Sequence, residues 1–188
     1  MSESIVSFVP QVLEYENPAE VASQLSRYLS THKVIGTELK DHPNTPFKRF
    51  APGPNYREIL NCGDEFNQVE GTNNNHIDIF SERTVFHGYS NGLDEVLCPK
   101  CQQNLIGTNW AETMDRWAKG GSGQFKCENC GYIAPISAYR FSSESQFRWA
   151  FSNVGISFYN WPPTFTEDFL TRIAGILESP VIIVHAHL

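Results

Sequence analysis

Cys98 and Cys101, in Cys98-Pro99-Lys100-Cys101, and Cys127 and Cys130, in Cys127-Glu128-Asn129-Cys130-Gly131, are the residues of this chain best suited to chemistry. Two thiolates separated by two residues can grip one metal ion, and two such pairs complete a tetrahedron. Four soft sulfurs leave no position for water, which favours a closed, structural Zn²⁺ site over a catalytic one. A thioredoxin-like redox pair and a pair of disulfides compete with that reading. A redox pair opens a helix after a strand and needs only one Cys-x-x-Cys, whereas Gly131-Tyr132-Ile133-Ala134-Pro135 reads as a strand leaving a tight turn. Disulfides need an oxidising compartment, and Met1-Ser2-Glu3-Ser4 begins no signal peptide. The expectation is one structural Zn²⁺ in a cytoplasmic protein. Cys62, in Asn61-Cys62-Gly63-Asp64, has no basic neighbour to lower its pKa and is expected to be inert.

Residues Cys98 to Gly131 resemble a zinc ribbon, in which two metal-gripping turns come from two β-hairpins. The second turn, Cys-x-x-Cys-Gly, matches that pattern, since Gly131 can take the positive φ that folding back around a metal demands. The first turn departs from it, with Gln102 where such ribbons usually place Gly. The resemblance covers about a fifth of the chain and implies a module, not an activity.

Other candidates are weaker. Gly88-Tyr89-Ser90-Asn91-Gly92 fits a G-x-S-x-G nucleophile elbow, with Asp168 and His185 later in triad order, but too few residues separate Gly92 from Cys98 to hold the helix an elbow feeds. Ser90-Asn91-Gly92 is more simply a turn. His185 and His187 alternate on one face of a strand, as do His76 and Asp78, but nothing in the sequence joins the two pairs. Lys48, Arg49 and Arg57, beside Phe47, Phe50 and Tyr56, form the one basic and aromatic patch and are the candidate nucleic-acid or anion contacts. Trp110 and Trp117 follow helical spacing with Met114; they are candidates for partner binding, against the plainer reading that they pack onto the metal turns. No P-loop, dinucleotide fingerprint or HExxH is present.

The elements that must position these residues are well marked. Asn17-Pro18 with Glu20 starts a helix running to about Thr31, Asn109 with Glu112 starts one ending at Gly120-Gly121, and Thr164 with Glu167 starts one stopped by Ser179-Pro180. Ser143 with Gln146 signals a short helix through Phe147, Trp149 and Phe151. Residues 5–9, 33–36, 154–159 and 181–184 read as strands, so 154–187 forms a β-α-β unit. His76–Phe80 and Thr84–His87 read as a central hairpin, and 37–75, rich in Pro, Gly and Asn, as a long irregular excursion. The resulting class is α+β, a mixed β-sheet with helices packed on one face and an inserted zinc-ribbon-like lobe. Residues 1–93 and 141–188 would form the sheet domain and 94–140 the lobe.

With 188 residues and 40% apolar content, the chain can bury one core plus a small metal lobe. It lacks the run of ~18 apolar residues that a membrane span requires. Its formal charge of −7, about −9 with four thiolates and one Zn²⁺, repels phosphate backbones. The preferred function is therefore a non-enzymatic, zinc-stabilised protein-binding module, an adaptor or an acidic inhibitor of the immunity type, with another protein as partner. A nucleic-acid-associated zinc-ribbon protein is the alternative, and a small serine hydrolase comes third.

Overall fold

The computed structural model of the chain describes residues 3–39, 45, 47–61, 75–87, 93, 95–142 and 148–187. In chain order its elements are β1 (Ser4–Pro10), α1 (Pro18–Thr31), β2 (Ile35–Glu38), β3 (Phe47–Pro52), β4 (His76–Phe80), β5 (Thr84–Phe86), β6 (Glu95–Leu97), α2 (Trp110–Ala118), β7 (Gln124–Lys126), β8 (Ile133–Pro135), β9 (Arg140–Ser142), β10 (Ala150–Ser152), β11 (Gly155–Tyr159), α3 (Glu167–Ile176) and β12 (Val181–His187). Six strands form one sheet in the order β12-β1-β11-β4-β3-β2. The α+β class expected from the sequence is the class observed. Every neighbouring pair in this sheet is antiparallel, because β1 inserts between β11 and β12 and separates the two strands of the β-α-β unit.

Strand alternation gives the sheet two different faces. Val6 and Phe8 of β1 stand opposite Phe158 and Ile156 of β11, which stand opposite Ile77 and Ile79 of β4. These six are buried against Leu25 and Leu29 of α1 and Phe169 and Ile173 of α3, forming the main core. On the other face, Val9, Phe80 and Val184 are joined by Phe86 and Ala150 from the two-stranded β5–β10 ribbon. Gly155 makes that approach feasible, since a Cβ there would lie 2.4 Å from the Phe86 ring. The alternate residues of the ribbon, Val85 and Phe151, pack into the lobe core with Val96, Leu105, Trp117, Phe125, Ile136 and Phe141. The ribbon is thus a layer between sheet and lobe.

Several expectations are corrected. Thr84–Phe86 does not form a hairpin with β4; it pairs with β10, and β4 is flanked by β3 and β11. Arg83 explains the departure of the chain, because its guanidinium bonds to Glu14 Oε2 at 2.9 Å and to the backbone oxygens of Trp117 and Gly121, which carries the following strand to the lobe. The supposed irregular excursion contains β3, whose Phe50 enters the main core, and a short 3₁₀ turn at Tyr56–Ile59. Phe151 lies on a strand and not on the expected helix, whose start signal at Ser143 and Gln146 falls outside the described residues. The helices stand where expected, but two of the capping boxes do not form: neither Asn17 nor Asn109 makes a side-chain cap bond. At α3 the cap is Thr166, which accepts from the Phe169 N–H, and not Thr164, because the bridge from Phe165 to Leu60 keeps the preceding residues extended.

Candidate metal centre

Each cysteine pair sits on a turn that closes a short hairpin. The first follows β6, and its return is held by the Leu97–Asn104 bridge and by the Leu105 N–H donating to Val96 O at 2.8 Å. The second joins β7 to β8. The two turns share one hydrogen-bond pattern. Cys98 N–H donates to Gln103 O and Gln102 N–H to Cys98 O; Cys127 N–H donates to Tyr132 O and Gly131 N–H to Cys127 O, all between 2.8 and 3.1 Å. Gln102 has φ +58° and Gly131 φ +70°, so the residue that breaks the glycine pattern adopts the conformation the glycine would supply.

The turns bring four sulfurs together. Cys98 Sγ lies 3.8 Å from Cys130 Sγ, Cys101 Sγ lies 3.7 Å from Cys127 Sγ, and all four lie within 4.8 Å of one another. A tetrahedron with metal–sulfur bonds of about 2.3 Å has an edge of about 3.8 Å, so the set fits one metal ion. Cys98 and Cys127 are buried and Cys101 and Cys130 half-exposed. Both of these shorter contacts cross from one turn to the other, so a bound ion would fasten the two turns together.

Donors around the cluster favour thiolate at one position first. The Asn129 amide, 3.6 Å from Cys101 Sγ, and the Gln103 N–H hold the Cys101 thiol down at about 6. At Cys130 the Tyr132 N–H pulls in the same direction, but desolvation and the neighbouring sulfurs outweigh it and push the thiol up to about 11. Tyr139 lies beneath, donating toward Phe125 O at 3.1 Å and Tyr132 O at 3.3 Å; burial, then the charge of Cys98, Cys127 and Cys130, raises its hydroxyl to about 12. Such a cluster of neighbouring sulfurs is stable as thiolates only with a cation among them.

The remaining candidates are dispersed. Trp117 is only 4% exposed; its Nε1 donates to Glu14 Oε1 at 3.3 Å and Arg83 lies 5.7 Å over its ring, so it fastens the lobe to the segment after β1 instead of facing a partner. Trp110 is half-buried, with Nε1 donating to Ile106 O and its ring edge-on to Phe141 and Trp149. Lys48 and Arg49 alternate on β3 and face opposite ways. Arg49 makes a two-pronged ion pair with the fully buried Asp78, Nε to Oδ1 and Nη2 to Oδ2 both at 2.8 Å, and its charge is committed there. Arg57 is exposed and bonds Tyr56 Oη at 3.0 Å. His76 and Asp78 belong to the face of the sheet carrying Tyr159, His185 to the face carrying Val6, and β11 and β1 lie between their strands. Asp168 is exposed and paired with Arg172, unlike the buried acid that orients a triad histidine. Residues 88–92 and Cys62 lie outside the described residues.

Sequence reasoning missed the apolar surface beside the two cysteine turns. Among the described residues, the exposed large apolar side chains are Leu39 and three that flank the metal turns: Ile106, 39% exposed, Tyr132, 38%, and Ile133, 59%. Lys100 reaches from the first turn to within 5.9 Å of the Tyr132 ring on the second. Comparison with protein-family models, with curated proteins and with solved structures finds no match. Among the described residues no helix is long and apolar enough to cross a membrane.

Proposed function

We propose that this chain is a non-enzymatic, cytoplasmic protein-binding module braced by one structural Zn²⁺ held by Cys98, Cys101, Cys127 and Cys130. The closed set of four sulfurs carries the reading, since it supports a metal that ties two hairpin turns and offers substrate no coordination position. When bound, Zn²⁺ supplies a cross-link worth on the order of 10 kcal/mol to a small module. The chain's own groups keep the sulfurs in place: Gln102 and Gly131 set the turns, and Tyr139 supports them from below.

The surface offered to another protein is the end of the lobe at the cysteine turns, with Ile106, Tyr132 and Ile133, in place of the two tryptophans. Exposed apolar groups on a rigid support lose little entropy when a partner covers them. The nucleic-acid alternative loses Arg49, whose charge is committed to Asp78, from its three candidate contacts. Affinity capture from native cells with the zinc-loaded protein, compared with Ile133→Glu of equal metal content, tests this reading. A defined protein lost in the variant supports it. Salt-dependent retention on RNA or DNA with no protein partner would move the nucleic-acid reading ahead.

A further inference from the structure

β12 is an outer strand of the six-stranded sheet, and among the described residues no strand pairs with its outer side. A strand edge presents backbone N–H and C=O groups ready to pair with another chain, and proteins usually blunt it with charge, proline, bulges or short length. The opposite edge, β2, is blunted in this way: it is four residues long, its register shifts between Ile35 and Glu38, and it ends on an exposed glutamate. β12 has none of these devices. It runs seven residues in unbroken register with β1, and Val-Ile-Ile-Val-His-Ala-His contains no Asp, Glu, Lys, Arg or Pro.

The helix above this edge continues the apolar character. Tyr28 of α1 stacks 6.5 Å from Phe169 and feels the charges of Asp168 and Arg172, which marks that flank of α3 as the one facing α1. At 100° per residue, Leu170 and Ala174 fall on the other flank, on the β12 side, and both are half-exposed. With the half-exposed Val181 and Ile183 they form an apolar rim along the strand edge. The charged pair Asp168–Arg172 is kept on the far flank, while Glu167, exposed at the start of the helix, shares the near flank with Leu170 and Ala174.

We infer that β12 is a self-association edge, through which two copies of this chain pair antiparallel about a two-fold axis to make one continuous sheet. A second copy fits because the strand is complementary to itself. With the axis at Val184, Ile182 meets Ala186 on the face carrying Val9 and Phe80, while Ile183 meets His185 and Val181 meets His187 on the helix face. Each residue then meets one that points to the same side. A chain of net charge −7 repels its copies at long range, and this strand brings no carboxylate of its own opposite another. Two-fold addition also extends a sheet that is already antiparallel throughout, in the commonest symmetry of soluble oligomers.

The test is the mass of the metal-loaded full chain by analytical ultracentrifugation across micromolar to millimolar concentration. A species of twice 21.3 kDa is expected. Ile183→Lys and, off the strand, Leu170→Arg should abolish it while metal content and near-ultraviolet dichroism stay unchanged. For the unaltered protein, amide exchange in residues 181–187 should slow as concentration rises, which keeps the inference testable if either variant fails to fold. A monomer at all concentrations would overturn the inference, whatever other protein might occupy the edge. So would a dimer in which both folded variants still pair, or in which exchange in 181–187 is independent of concentration.

Discussion

Gln102 and Gly131 hold the same left-handed turn with different side chains, and the difference can be measured. An L-residue with a Cβ in that region costs about 1–2 kcal/mol, partly offset on replacement by the greater freedom of glycine when unfolded. The only side-chain bond Gln102 would lose is an exposed one of 3.3 Å to Pro99 O. Gln102→Gly should therefore stabilise the metal-loaded protein by about 0.5–1 kcal/mol in urea unfolding. Gly131→Ala should do the reverse by about 1 kcal/mol, without steric penalty, since a Cβ there meets nothing within 4 Å. Equal stability for both variants would mean that the metal fixes the turns whatever their backbone preference.

Among the elements, helix ends and strand pairs separate sequence signal from energetic consequence. Thr166 caps α3 with a real bond, whereas Asn17 and Asn109 stand at helix starts without one. Thr166→Ala should cost about 1 kcal/mol in denaturant unfolding, and Asn17→Ala distinctly less. The Arg49–Asp78 pair fastens β3 to β4 and offers a sharper test. Removing Asp78 alone, as Asp78→Asn, leaves the half-buried guanidinium of Arg49 without its partner and should cost about 3–5 kcal/mol. Arg49→Met combined with Asp78→Leu should cost less than the sum of the single changes, because no charge is then stranded. Additive losses in a double-mutant cycle would show that the pair is uncoupled.

For the whole molecule, the consequence lies in how lobe and sheet share a boundary. The lobe core includes Val85 and Phe151 from the β5–β10 ribbon, and Arg83, Glu14 and Trp117 tie it to the segment after β1. The main core of α1, α3 and the central strands contains no metal ligand. Chelation should therefore abolish amide protection across residues 95–142 and in β5 and β10, while β1, β4 and β11 keep most of theirs. Hydrogen exchange by mass spectrometry reads this directly. Uniform loss along the chain would instead mean a single cooperative unit in which the metal supports the sheet as well.

The sequence alone determined what depends on local spacing: the two pairs of clustered cysteines, the three helices, the strands at residues 76–80, 154–159 and 181–184, and the α+β class. Short-range chemistry suffices for these, since a Cys-x-x-Cys turn, a 3.6-residue apolar period and an alternating strand each carry their own signature. Pairing was decided by the tertiary structure. Phe47–Pro52 looked like a basic, proline-bounded loop because its defining partner, Asp78, lies 29 residues from Arg49, and Thr84–Phe86 looked like the return of a hairpin because its partner β10 comes more than sixty residues later. Burial of Trp117 and exposure of Ile133 were equally invisible, for whether an apolar side chain faces a core or water depends on what the rest of the chain places over it.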